Sequence, residues 1–211
     1  MAVNPPTGAQ AQAQFVLVDW AARPSRLDAR RCARRTLTVR IEIRDYDAAW
    51  PRLYEREAAR VRRALGERVI RLEHCGSTSV PGLTAKAVVD IVLEVRASSR
   101  EAEYVPDLER AGYRLRRREP EWFEHRLLRS PEAPVNLHVF TAGCEEVDRM
   151  LRFRDRLRAN AADRERYARE KRALAGRTWG SVQQYADAKT EVIRAILAHA
   201  GAEGDSAADG E

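Results

Sequence analysis

The chain has 211 residues, enough for one domain with or without tails, and its 44% hydrophobic content supplies an ample core. No apolar run approaches the roughly 18 residues of a membrane span, and Phe15–Val18 is too short, and too closely followed by Asp19 and Arg-rich sequence, for a secretion signal. The net charge of +6 is unevenly placed: residues 1–40 hold seven Arg against two Asp, and residues 200–211 hold four acids and no base.

The weakly basic middle suits an anionic small molecule. Nucleic acid is not an expected partner, since no recognition helix or aromatic platform accompanies the charge. No membrane association is expected, a cytoplasmic location is, and the sequence does not set the oligomeric state. Three cysteines, Cys32, Cys75 and Cys144, lack paired spacing, which argues against a disulfide framework or a zinc knuckle. Cys75 precedes a Gly-Ser turn, but no oriented base marks it as a nucleophile.

Residues 1–36 combine Pro5-Pro6, Gln-Ala alternation and an Arg-rich patch, and read as a flexible basic tail. Thr38–Arg44 alternates Val39, Ile41 and Ile43 on one face and predicts the first strand. Asp47 offers a cap to a helix over 48–65, with Trp50, Leu53, Tyr54, Glu57, Val61, Ala64 and Leu65 along one stripe and Gly66 at its end. Arg71–Cys75 then reads as a strand, Gly76–Gly82 as a glycine- and hydroxyl-rich turn, and Ala87–Val95 as a β-branched strand.

Ser98–Gly112 predicts a helix entered through Ser98-Ser99 and broken or kinked at Pro106. Tyr113–Arg118 and Trp122–Leu128 read as a strand pair, and Val135–Thr141 as a further strand with Asn136 and His138 on one face. Helices follow over 145–160 and 161–175 with a break near Asn160. After the loop Gly176–Gly180, a last helix opens on a capping box of Ser181 and Gln184. The domain is expected over 37–199, with an acidic, disordered tail over 200–211.

Asp90 is the most informative residue. A strand buried on both faces is apolar throughout, so a carboxylate in its middle must be paired, hydrogen-bonded or bound to a cation. The string from His74 through Gly76-Ser77-Thr78 to Lys86, with Val89-Asp90-Ile91, resembles the GrpB family (UPF0157), which belongs to the nucleotidyltransferase-like superfamily. The resemblance extends from Val39–Ile43 and Trp50-Pro51 through Asn136-Leu137-His138-Val139 and Phe153–Arg158 to Tyr167, Lys171, Tyr185 and Lys189.

That resemblance implies an α/β, nucleotidyltransferase-like fold: a mixed sheet flanked by helices, with a helical C-terminal portion. It also implies a nucleotide or other phosphorylated small molecule as substrate or ligand. Gly76, Ser77 and Thr78 would hold phosphate, and Lys86, Arg154 and Arg158 would neutralise its charge, with Lys171 and Lys189 matching further basic positions. Asp90 with His138 would form the catalytic pair of a metal-dependent nucleotidyl transfer.

In the usual pattern a second acid follows two positions after the first, and here that position is Val92. Glu94, on the same face, is about 13 Å away at roughly 3.3 Å per residue. His74, Asp90 and His138 are therefore the expected metal set for a divalent ion, magnesium, manganese or zinc, the imidazoles favouring the softer ions. Two alternatives stand beside this reading. Asp90 can serve only to rigidify the Gly-Ser turn, or the chain can be a non-catalytic ligand-binding or accessory domain linked to coenzyme A metabolism, as the family's fusions to dephospho-coenzyme A kinase imply. A serine hydrolase lacks support, because Ser77 sits in no Gly-x-Ser-x-Gly elbow.

Overall fold

The computed structural model describes residues 38–130 and 132–208, so the segment read as a basic tail lies outside the described residues. A 17-residue helix, α1 (Ala49–Leu65), forms where the apolar stripe demanded it and buries Trp50, Ala58, Val61 and Leu65. The Asp47 carboxylate accepts from the Ala49 N–H at 2.7 Å. Glu57 is fully buried on the same stripe, where it accepts a 2.8 Å bond from the Tyr113 hydroxyl.

Five strands make an open mixed sheet: β2 (Arg71–Cys75), β3 (Val89–Val95), β4 (Arg114–Glu119), β5 (His125–Ser130) and β6 (Val135–Thr141), in the order β2-β3-β6-β5-β4. Only the central β3–β6 pair is parallel; the others are antiparallel. Val89, Ile91 and Leu93 of β3, with Val135, Leu137 and Val139 of β6, point to one face and pack against α1 and the short helix α2 (Val105–Arg110). Asp90, Val92 and Glu94 point to the other, beside Asn136, His138 and Phe140.

That second face meets the C-terminal helices, α3 (Glu145–Ala159), α4 (Ala161–Ala175), α5 (Val182–Asp187) and α6 (Thr190–Ala208). Asn160 ends α3 and caps α4, its side chain accepting from the Asp163 N–H at 2.9 Å. Ser181 caps α5 as expected, through the Gln184 N–H. α3, α4 and α6 bury Phe153, Leu157, Tyr167, Ile193 and Ile196 against Val80 and Leu83, so the helices clamp the loop after β2.

The structure differs from the sequence reading in several elements. The first strand shrinks to β1 (Val39–Arg40), which pairs with β7 (Thr178–Trp179) outside the main sheet, followed by a single bridge from Arg44 to Ala85. Pro106 starts α2 rather than kinking a longer helix; a proline lacks the N–H that the first turn does not need. Ser98 caps nothing, its hydroxyl instead tying the Glu124 carbonyl and Thr141 together. The last helix is two, α5 and α6, and α6 runs on to Ala208 through most of the expected tail, since each added residue closes another helical bond once a helix exists.

Candidate functional site

A cleft lies between the second sheet face and the C-terminal helices. Gly76, Ser77 and Thr78 form one wall, Asp90 and His138 the floor, and Lys86, Arg154, Lys171 and Lys189 bring positive charge from four separate segments. Trp122, Tyr167 and Tyr185 add aromatic surface. Asp90 is the one carboxylate among these lining residues, against four cations.

The Gly-Ser turn is built for close approach. Gly76 has φ 68° and ψ −173°, a backbone region open essentially to glycine alone, and a Cβ there would lie 2.7 Å from Asp90 Oδ2. The turn continues as one 3₁₀ turn, Ser77–Ser79, and the Ser79 hydroxyl closes it by donating to the Gly76 carbonyl at 2.6 Å. Arg158 braces it from behind with two bonds to the Ser79 carbonyl, at 2.9 and 3.0 Å.

Asp90 is tied into the sheet rather than stranded. Its Oδ1 accepts from Asn136 Nδ2 at 2.8 Å and faces His138 Nε2 at 3.4 Å. His138 Nδ1 lies 3.1 Å from His125 Nε2, and His125 Nδ1 lies 2.9 Å from Glu119 Oε2. Four side chains from β3, β6, β5 and β4 thus form a continuous row across the sheet. Burial pushes the His125 imidazole down to about 4, against the pull of its Glu119 bond. Glu119 itself lies below the ordinary carboxylate range: its burial would raise it, and the His125 bond with the neighbouring charges outweighs that.

The expected site is assembled in part. Asp90 and His138 meet, and Gly76, Ser77, Thr78, Lys86 and Arg154 all line the cleft, although the Thr78 side chain is buried and bonded to His74 Nε2 at 3.1 Å. Arg154 reaches the Glu73 carboxylate and the His74 carbonyl, at 2.8 and 2.9 Å, and also pairs with Asp155. Arg158 borders a second hollow, on the far side of the turn, and not the Asp90 cleft.

His74 is the residue that the structure moves away. Cys75, not His74, pairs with Asp90 in the β2–β3 register, so alternation turns His74 to the opposite face. There it stacks on Tyr54 at 4.9 Å, and burial, with the charges of Arg158 and Arg154, holds it down to about 4. Asp90 and His138 alone do not make the expected three-donor metal set, and no group of three or more His, Cys, Asp or Glu that could hold a metal ion occurs among the described residues. Glu94 is spent elsewhere, accepting from the Gly143 and Cys144 N–H groups and pairing with Arg71. The Cys75 thiol is fully buried, and burial raises it well above its ordinary range, as an unreactive core group.

Glu119, His125 and Trp122 escaped the sequence reading. The strand expected from Trp122 starts at His125, because Phe123 and Glu124 adopt left-handed backbone angles of φ 51° and 50°. That turn sets the Trp122 ring edge-on to His125, at 4.8 Å. The alternation of His125 with Leu127 was visible, but the pairing of β5 with β6 that brings the two histidines together was not.

Two buried neutral imidazoles make stability depend on acidity. A histidine whose folded value lies below its unfolded value near 6.5 contributes fully above that unfolded value, and the contribution is lost as pH falls toward 4. His74 and His125 are each expected to cost on the order of 2–3 kcal/mol across that window. Urea midpoints measured at intervals from about pH 7 down to about pH 4 should fall steadily, and a flat profile would contradict the neutral, buried assignment.

Fold and site together define an open-sheet α/β protein with a basic cleft between one sheet face and a helical C-terminal portion. The chain belongs to the GrpB family: the family described as GrpB protein matches residues 40–199. A UPF0157 protein of Halalkalibacterium halodurans is 55% identical over 162 residues, 77% of this chain and 83% of that protein. Another, from Streptomyces coelicolor, is 48% identical and spans 78% of this chain and 86% of that protein. A crystal structure of the conserved protein GrpB from Enterococcus faecalis superposes with a TM-score of 0.63 at 29% identity, covering 75% of this chain and 96% of that one. A dephospho-CoA kinase of Mycolicibacterium paratuberculosis is 30% identical over 174 residues, 70% of this chain and 43% of that longer protein.

Proposed function

We propose that this chain binds a nucleotide or a related phosphorylated small molecule in the cleft beside Gly76-Ser77 and Asp90. The observation that carries this reading is the lining of the cleft: Lys86, Arg154, Lys171 and Lys189 meet beside the Gly-Ser turn, and Asp90 is the one carboxylate among the lining residues. Lys86 and Lys189 both stand against the Tyr185 ring, at 5.3 and 4.4 Å from its centre. The aromatic rings suit a base or another planar group at the other end.

The similarity to part of a dephospho-CoA kinase supports the choice of a nucleotide-like ligand. Nucleotidyl transfer is the finer reading, with Asp90 and His138 at the reacting end. One carboxylate and one imidazole do not fit a resident divalent ion. Val92 at the second carboxylate position favours the competing reading of a non-catalytic binding or accessory domain.

Thermal shift against ATP, dephospho-coenzyme A, inorganic phosphate and adenosine separates these readings. The phosphorylated nucleotides should raise the midpoint by several degrees and adenosine should not. A ligand at 100 times its dissociation constant stabilises by about 2.7 kcal/mol. The absence of any shift with every phosphorylated compound would end the ligand reading.

A further inference from the structure

The row from Glu119 to Asp90 fixes where protons sit. The Glu119 carboxylate only accepts, so the hydrogen on His125 lies on Nδ1, 2.9 Å away. His125 is 1% exposed, and burial keeps it neutral, so its Nε2 is bare and accepts. The atom facing that Nε2 at 3.1 Å is His138 Nδ1, which must then carry its ring's hydrogen. With its hydrogen on Nδ1, the ring of His138 turns Nε2 toward Asp90 Oδ1 at 3.4 Å, beside the bond that this oxygen accepts from Asn136. One further proton placed on Nε2 turns that approach into an N–H···O bond.

We propose that Glu119 and His125 are positioning residues that hold His138 in the Nδ1–H tautomer, so that its Nε2 is the proton acceptor for a hydroxyl or amine of a ligand in the cleft. In that step the ligand's O–H or N–H proton passes to Nε2, whose lone pair forms the new bond. The electron pair of the broken bond stays on the ligand's oxygen or nitrogen, which becomes a nucleophile. The imidazolium keeps its Nδ1–H on His125 and retains the new proton on Nε2 as a hydrogen-bond donor to the Asp90 carboxylate once the ligand's heteroatom departs, so the positive charge forms beside a negative one. The identity of the donor rests on the ligand-cleft reading, but the tautomer is measured with no ligand present, so the two can fail separately.

Two-bond proton–nitrogen correlation spectra of the histidine rings, recorded on the full chain near neutral pH, test this directly. The wild type should show His138 as the Nδ1–H tautomer. His125→Phe removes the acceptor and should return His138 to the intrinsically preferred Nε2–H form. Glu119 has a side chain 28% exposed, so Glu119→Ala decides the matter should the His125 variant not fold. It should move the ring-nitrogen shifts of both His125 and His138 toward a tautomer mixture. His138 found as Nε2–H or doubly protonated in the wild type would overturn the proposal, as would unchanged His138 shifts in folded Glu119→Ala.

Discussion

Gly76→Ala is expected to lower the unfolding free energy by about 2–4 kcal/mol, and the thermal midpoint by roughly 5–15 °C. Two effects add. The backbone at φ 68° and ψ −173° is one that an L-residue adopts only under strain. The new methyl would also sit 2.7 Å from Asp90 Oδ2, so the carboxylate must swing away from a position that Asn136 holds. Folding and ligand binding should therefore fail together, and the Asp90→Asn variant separates them, because the amide occupies the same space without the charge. A Gly76→Ala protein with wild-type midpoint and wild-type nucleotide response would show that the close approach of turn and carboxylate is unimportant.

The double change Lys86→Met, Lys189→Met is expected to weaken ATP binding by about 100-fold to 10,000-fold while leaving adenosine unaffected. Charge-assisted bonds to a phosphate are worth about 1.5–3 kcal/mol each, and every 1.4 kcal/mol is a factor of ten. Methionine keeps a flexible side chain of similar length and removes the ammonium that stands over the Tyr185 ring. Binding measured by calorimetry at two ionic strengths should also become less salt-sensitive in the double variant, as fewer charges remain to be screened. Equal affinity in both proteins would place the ligand somewhere other than this cleft.

The same two experiments mark how far the residues themselves were readable. Gly76 and Asp90 stand out locally, one as a turn glycine before a β-branched run and the other as an acid in the middle of that run. Period-two alternation also placed Asn136 and His138 on one face of their strand, where the structure has them. Lys86 and Lys189, two of the chain's three lysines, were named from the family resemblance as basic positions, with nothing local to show that they meet. Their meeting at Tyr185 depends on how a helix 100 residues further along docks against the loop before β3, which no local pattern encodes.

His74 makes the contrast sharper, since in sequence it is nearer to the turn than any other imidazole. Its exclusion follows from one residue of register, Cys75 rather than His74 opposite Asp90, and a slip of one residue exchanges the two faces of a strand. Glu119 and His125 show the reverse case: they are far from Asp90 in sequence, yet they belong to its row, because β4, β5 and β6 stack next to β3.

By itself, then, the sequence determined most of the helices and strands, the glycine turn and the family, because hydrophobic period, caps and backbone freedom act over a few residues. Tertiary structure alone decided which imidazole faces the carboxylate, how the lysines converge on one cleft and where Glu119 belongs. Strand order and register set those distances, and both emerge only when the whole core packs.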